Sequence, residues 1–140
     1  MPYTEYENSL LAYDEDIKNR SFREWLVAHT SFLKPLHRYK GILKVDEEAL
    51  VFDGKNKNGY IDFNVTILMD NITDVFLGYD EVFRRREDRS MGLRGFEPLR
   101  IRFETKGGEK TIYVFAGFHW TRTSHNRDLY EQLESFRNQS

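Results

Sequence analysis

Seven arginines fall between positions 84 and 102: Arg84, Arg85, Arg86, Arg89, Arg94, Arg100 and Arg102. The same stretch holds three acids, Glu87, Asp88 and Glu97, and no lysine. Guanidinium is a planar fork of N–H donors that matches the oxygens of phosphate and carboxylate, whereas an ammonium group is a point charge. In a chain of formal net charge −2 this is a local basic patch on a near-neutral background. The chemistry it suits is binding of an anion: a lipid head group, a phosphate or an acidic protein segment. The plainer reading is a solvated connection whose arginines pair with Asp80, Glu81, Glu87 and Asp88. Nucleic acid is not expected as a partner. There is no global positive field, and single-strand binders interleave exposed aromatics with the basic groups, where only Phe83 and Phe96 occur here.

The other reactive side chains do not converge on a motif. His29, His37, His119 and His125 lack the H-x-x-x-H or H-E-x-x-H spacing of a metal-binding helix. There is no cysteine, hence no disulfide and no thiolate ligand. Carboxylates are numerous without forming a recognisable acid–base pair, and no phosphate loop, dinucleotide fingerprint or nucleophile elbow is present. Ser124 and Asn126 stand where a helix begins and read as its caps. The expectation is a protein with no catalytic residues, no metal and no cofactor.

What must position the arginines is a β-rich frame. Leu99, Ile101 and Phe103 alternate with Arg100, Arg102 and Glu104, the period of a half-buried strand. Lys106-Gly107-Gly108 turns the chain, and Thr111–Ala116 returns it in β-branched and aromatic residues. Tyr39–Val45, Ala49–Phe52, Ile61–Ile67 and Ile72–Leu77 read as further strands, giving six to seven in all. Asp46-Glu47-Glu48 and Met69-Asp70-Asn71 are turns, and Asp53-Gly54 stops the second of these strands. Leu129, Leu133 and Phe136 share one stripe of a closing helix. Residues 79–98 carry no sustained period, and a connection of that length inside a domain is usually functional or disordered.

Upstream, Ser21 and Glu24 form a capping box, and Phe22, Trp25, Leu26, His29, Phe32 and Leu33 fall on one helical face before Pro35. Tyr3, Tyr6, Leu10, Leu11, Tyr13 and Ile17 have partial helical spacing, which predicts a weak helix or ordered arm over residues 1–20. The domain reading is therefore a helical extension, 1–35, packed on a domain formed by 36–140. An aromatic content of 15% suits a β-rich core, and 140 residues suffice for one unit with its own core. No apolar run approaches the roughly 20 residues needed to span a bilayer. Glu5 and Glu7 precede the short run Leu10-Leu11-Ala12, so no signal peptide is expected. The expectation is a soluble, cytoplasmic protein, at most peripheral to a membrane.

From Tyr39 onward the chain resembles the pleckstrin-homology-like superfold, especially its GRAM and bacterial branches. The residues that carry the resemblance are Gly41–Val45, Ala49–Phe52, Ile67–Val75, Pro98–Phe103, Tyr113–Phe115 and Leu129–Leu133. The resemblance implies a mainly β fold with helices: a partly open antiparallel barrel plugged by the C-terminal helix. It implies a non-enzymatic binding or adaptor module for membranes, head groups or protein segments. Phosphoinositide-binding members carry basic residues across the first strand, its turn and the second strand. With Tyr39–Val45 taken as the first strand, His37, Arg38, Lys40 and Lys44 supply only part of that motif, and the turn Asp46-Glu47-Glu48 would repel a phosphate. Two other readings use the same elements: a small lipocalin-like or fatty-acid-binding-like barrel around an apolar ligand, and an enzyme of unknown type built on the histidines.

Overall fold

The computed structural model describes residues 3–18, 38–56, 59–78, 80, 97–117 and 124–138. The predicted helix Phe22–Leu33 lies outside them, as do His29, His37 and His119. The expected strands form, with small shifts at their ends. They are β2 (Tyr39–Val45), β3 (Ala49–Asn56), β4 (Asp62–Leu68), β5 (Ile72–Leu77), β6 (Leu99–Thr105) and β7 (Gly108–Phe115). A 3-10 turn, Met69–Asn71, joins β4 to β5. The closing helix, α2, is Asn126–Arg137.

The helical reading of residues 1–20 is overturned over most of its length. Thr4–Tyr13 is a strand, β1, and only Asp14–Lys18 is helical, the short α1. β1 pairs antiparallel with β2 on one side and with β7 on the other. The sheet runs β4-β3-β2-β1-β7-β6-β5, so the segment expected as an outlying arm is the central strand. The misleading signal has a physical origin. A β-bulge at Glu7 and Asn8 shifts the register between Tyr6 and Ser9, with Asn8 in the left-handed region at φ 55°. The extra residue reverses the side-chain parity, so that Tyr6 before it and Leu11 after it both join the core cluster. Beyond the bulge, Leu10 and Ala12 on the opposite face are buried too, leaving no alternation to read.

One core lies on the α2 side of the sheet. It gathers Leu43, Val45, Leu50, Phe52, Ile67, Ile72, Leu99, Ile101, Phe103, Ile112 and Val114 from the strands. Leu129 and Leu133 of α2 enter it at 0% exposure. On the opposite face Leu10, Ala12, Tyr113 and Phe115 are buried as well, as is Ile17 of α1. The sheet is not closed: β4 and β5 are its two edges. Asp53-Gly54 does not end β3, which continues to Asn56. Gly54 pairs with Gly41, and a Cβ on either would run into the backbone of the other strand. Glycine is required there because the two backbones approach more closely than a side chain permits.

Candidate functional site

β6 sets the face on which its arginines sit. Leu99, Ile101 and Phe103 point into the core, so Arg100 and Arg102 share the other face. Arg100 is paired with Phe76 of β5 and with Tyr113 of β7. Its guanidinium carbon lies 4.8 Å from the Phe76 ring centroid. Asp74, diagonal to Arg100 across β5 and β6, accepts from Arg100 Nη2 at 3.1 Å. Asp80 accepts from Arg100 Nη1 at 3.0 Å and from the Tyr113 hydroxyl at 2.7 Å. The Asp80 side chain is 5% exposed and that of Arg100 13%.

This geometry governs the charges. Burial alone would lower the Arg100 pKa, but hydrogen bonds to Asp80 and Asp74 outweigh it and the net shift is upward, so the guanidinium is fixed as a cation. Burial, reinforced by the hydrogen bond and charge of Asp80, pushes the Tyr113 phenol well above its ordinary value. Arg100 Nε is buried without a hydrogen-bond partner. Among the described residues the cluster holds one cation and two carboxylates. Arg100 donates to both acids, and Asp80 is one of the acids named in the plainer sequence reading.

The other site residues divide as follows. Arg102 is half-buried, across from Asp74 on one side and Thr111 on the other. Arg84, Arg85, Arg86, Arg89 and Arg94 lie outside the described residues. The ends of the connection that carries them are fixed. Gly78 N–H donates to the Pro98 carbonyl at 3.0 Å, and Asp80 is held by Arg100 and Tyr113. The Glu97 carbonyl accepts from Asn126 Nδ2 at 2.8 Å.

Asn126, read from sequence as a cap, does something else. It is 2% exposed and opens α2, yet its side chain turns to the strands. Its Oδ1 accepts from the Ala116 N–H at 2.7 Å, while Nδ2 donates to the carbonyls of Glu97 and Val114. It saturates main-chain groups where β7 ends and β6 begins, which helix propensity alone does not reveal. The capping position belongs to His125, whose side chain makes no capping bond. Ser124 Oγ accepts from the Asn126 N–H at 3.4 Å, a long contact. Asp74 and Tyr113 are site residues that the sequence pattern does not single out, and Asn126 is one whose task it misassigns. The first two become visible once β5, β6 and β7 are placed side by side, because Asp74 and Tyr113 then share the face of Arg100.

The acid–base reading rests on His125. Its Nδ1 lies 3.6 Å from an Asp128 oxygen, with both side chains largely exposed. With Glu5, Tyr6, Glu7, Asn8 and Gly117 it lines a solvent-open groove of about 540 Å³. No group of three or more metal-ligating side chains gathers among the described residues. No helix of the described residues is long and apolar enough to cross a membrane. No protein-family model matches this chain, and no curated protein matches it in sequence.

Proposed function

We propose that the chain is a non-enzymatic binding module of pleckstrin-homology-like architecture that presents the connection between β5 and β6 to an anionic membrane surface. The strand order supports the architectural half of this reading. A four-strand meander, β1 to β4, meets a three-strand meander, β5 to β7, through the β1–β7 pairing, and a terminal helix packs on the core. Pairing of two meanders across one long strand with the two outer edges unjoined is compatible with the partly open barrel that the resemblance implies. With Thr4–Tyr13 as the first strand, Asp46-Glu47-Glu48 becomes the turn between the second and third strands. The objection drawn from that acidic turn therefore falls away. Asp46 Oδ1 accepts from the Glu48 and Ala49 N–H groups, which gives that residue a structural task in the turn.

The observation that carries the functional half is the fixed base of the arginine-rich connection. Binding residues are commonly borne on loops that a rigid scaffold positions. Here the Gly78–Pro98 bond and the Asp80 and Asn126 contacts hold both flanks of a segment bearing five arginines. Arg100 belongs to that base, and the contact surface is assigned to Arg84, Arg85, Arg86, Arg89 and Arg94. Sedimentation with vesicles of anionic and of neutral lipid tests this. The chain should sediment with anionic vesicles only, less so at high salt, because basic side chains near such a surface each contribute about 1 kcal/mol. Changing Arg84, Arg85 and Arg86 together to alanine should weaken binding at least about tenfold. Unchanged binding by the triple variant removes the connection from the proposal, and absence of binding by the unaltered chain removes the membrane.

A further inference from the structure

An open sheet has two edges, and this one treats them differently. The β5 edge is attended by α2: the helix packs on β5 and on the 3-10 turn, and Arg137 Nη2 donates to the Thr73 carbonyl at 3.3 Å. The β4 edge has no such cover among the described residues. Asp62, Asn64, Thr66 and Leu68 are exposed, and the strand DFNVTIL contains no proline, no lysine and a single charge. Those are the devices with which proteins blunt an exposed edge. Five large apolar side chains are exposed among the described residues, and three of them, Tyr60, Ile61 and Leu68, lie on β4 or at its entry.

The phase of the free main-chain groups follows from the hydrogen bonds to β3. Asn56 N–H donates to the Ile61 carbonyl, and Met69 N–H donates to the Glu48 carbonyl. Odd-numbered positions of β4 therefore turn their N–H and C=O toward β3, and Asp62, Asn64, Thr66 and Leu68 turn theirs outward.

We propose that two copies of the chain associate through β4, paired antiparallel about a two-fold axis at Val65. The strand is self-complementary in this register. Asn64 faces Thr66 of the second copy, and Asp62 faces Leu68, so no acid meets its own copy. Each of these pairs exchanges two hydrogen bonds, about eight in all. On the inner face Phe63 meets Ile67, and Val65 meets Val65 in the closer, non-hydrogen-bonded pairing. Phe63 and Val65 are only half-buried in one copy, and this contact covers them. On the outer face Leu68 of the second copy lies diagonal to the exposed Tyr60. The contact is isologous and closes at two copies. It is also short, so the association is weaker than that of an obligate dimer.

Sedimentation velocity of the full chain across a concentration series is the first measurement, and the dimer fraction should rise with concentration. Thr66→Lys, at an exposed position, should raise the dimer Kd at least about tenfold while leaving the circular dichroism spectrum unchanged. The chain has no cysteine, so Val65→Cys offers one thiol per copy, placed at the axis. Under mild oxidation it should form covalent dimers far faster than a control cysteine at the exposed Glu131. A chain that stays monomeric at every concentration overturns the proposal. So does a dimer insensitive to Thr66→Lys, or a Val65→Cys variant that cross-links no faster than the control.

Discussion

Asp80, Arg100 and Tyr113 form a unit in which one carboxylate accepts from both the guanidinium and the phenol. A buried carboxylate is costly unless donors surround it, and Asp80 receives one from the guanidinium and one from the phenol. Tyr113→Phe deletes a hydrogen bond to a charged acceptor and should cost about 1.5–3 kcal/mol at neutral pH. The same contact makes stability depend on pH in the alkaline range. Burial, first, raises the phenol pKa of Tyr113 above its ordinary 10.0, and also raises those of Tyr6 and Tyr13. In the unfolded chain these phenols ionise near pH 10, while in the folded chain they keep their protons. The folded state then binds more protons, so stability is fully present below about pH 10 and falls as the pH rises beyond it. Urea unfolding at pH 8, 10 and 11 should show that fall, and it should be shallower in Tyr113→Phe because one of the contributors is gone. Equal slopes in the two proteins would show that Tyr113 ionises as freely in the fold as outside it.

At the scale of elements, legibility followed the regularity of the pattern. β2, β4 and β6 bury one face, and their alternation located them to within a residue or two, while β5 was placed by the turn before it and Gly78 after it. β7 is buried on both faces from Ile112 to Phe115 and was found instead by its β-branched and aromatic content. β1 failed both tests, since the bulge broke its parity and the acids Glu5 and Glu7 precede its apolar end. The helix α2 was read from Leu129, Leu133 and Phe136, and the structure places the two leucines at 0% exposure with Phe136 packed beside them. Leu133→Ala should therefore cost about 2–5 kcal/mol, the transfer of the lost side-chain carbons beyond Cβ plus the cavity they leave. Thermal and urea unfolding measure this directly. A cost under about 0.5 kcal/mol would mean that the helix rests on the sheet without entering its core. What the sequence could not show is that α2 is also tied down by a polar device, the Asn126 amide bridging Ala116, Val114 and Glu97. Such a bond set depends on where the ends of β6 and β7 lie relative to the helix, and no local period encodes it.

Across the whole molecule, the strand order makes β1 the only described strand whose pairing joins two halves of the sheet, β4 and β5 being connected besides by the 3-10 turn. On one side stand β2, β3 and β4; on the other β7, β6 and β5. The bulge lets one strand serve both. Its first residues pair with β2 alone, Leu10 and Leu11 pair with both β2 and β7, and Ala12 and Tyr13 pair with β7. Ser9, fully buried, meets the demands of the bend: its hydroxyl donates to the Tyr6 carbonyl and accepts from the Gly117 N–H. Where the sequence pattern predicts a weak helix or an ordered arm, the topology gives Thr4–Tyr13 the central place in the sheet. A three-stranded meander buries little apolar surface by itself, and unpaired inner edges would expose the main-chain groups of β2 and β7. Deleting Thr4–Tyr13 should therefore abolish cooperative unfolding altogether, instead of lowering a midpoint by a few degrees. The shortened chain should show a broad thermal profile and weak amide protection in β2 and β7 alike. A sharp transition with protection retained in both strands would mean that the two halves meet through other contacts, and β1 would then be an accessory strand.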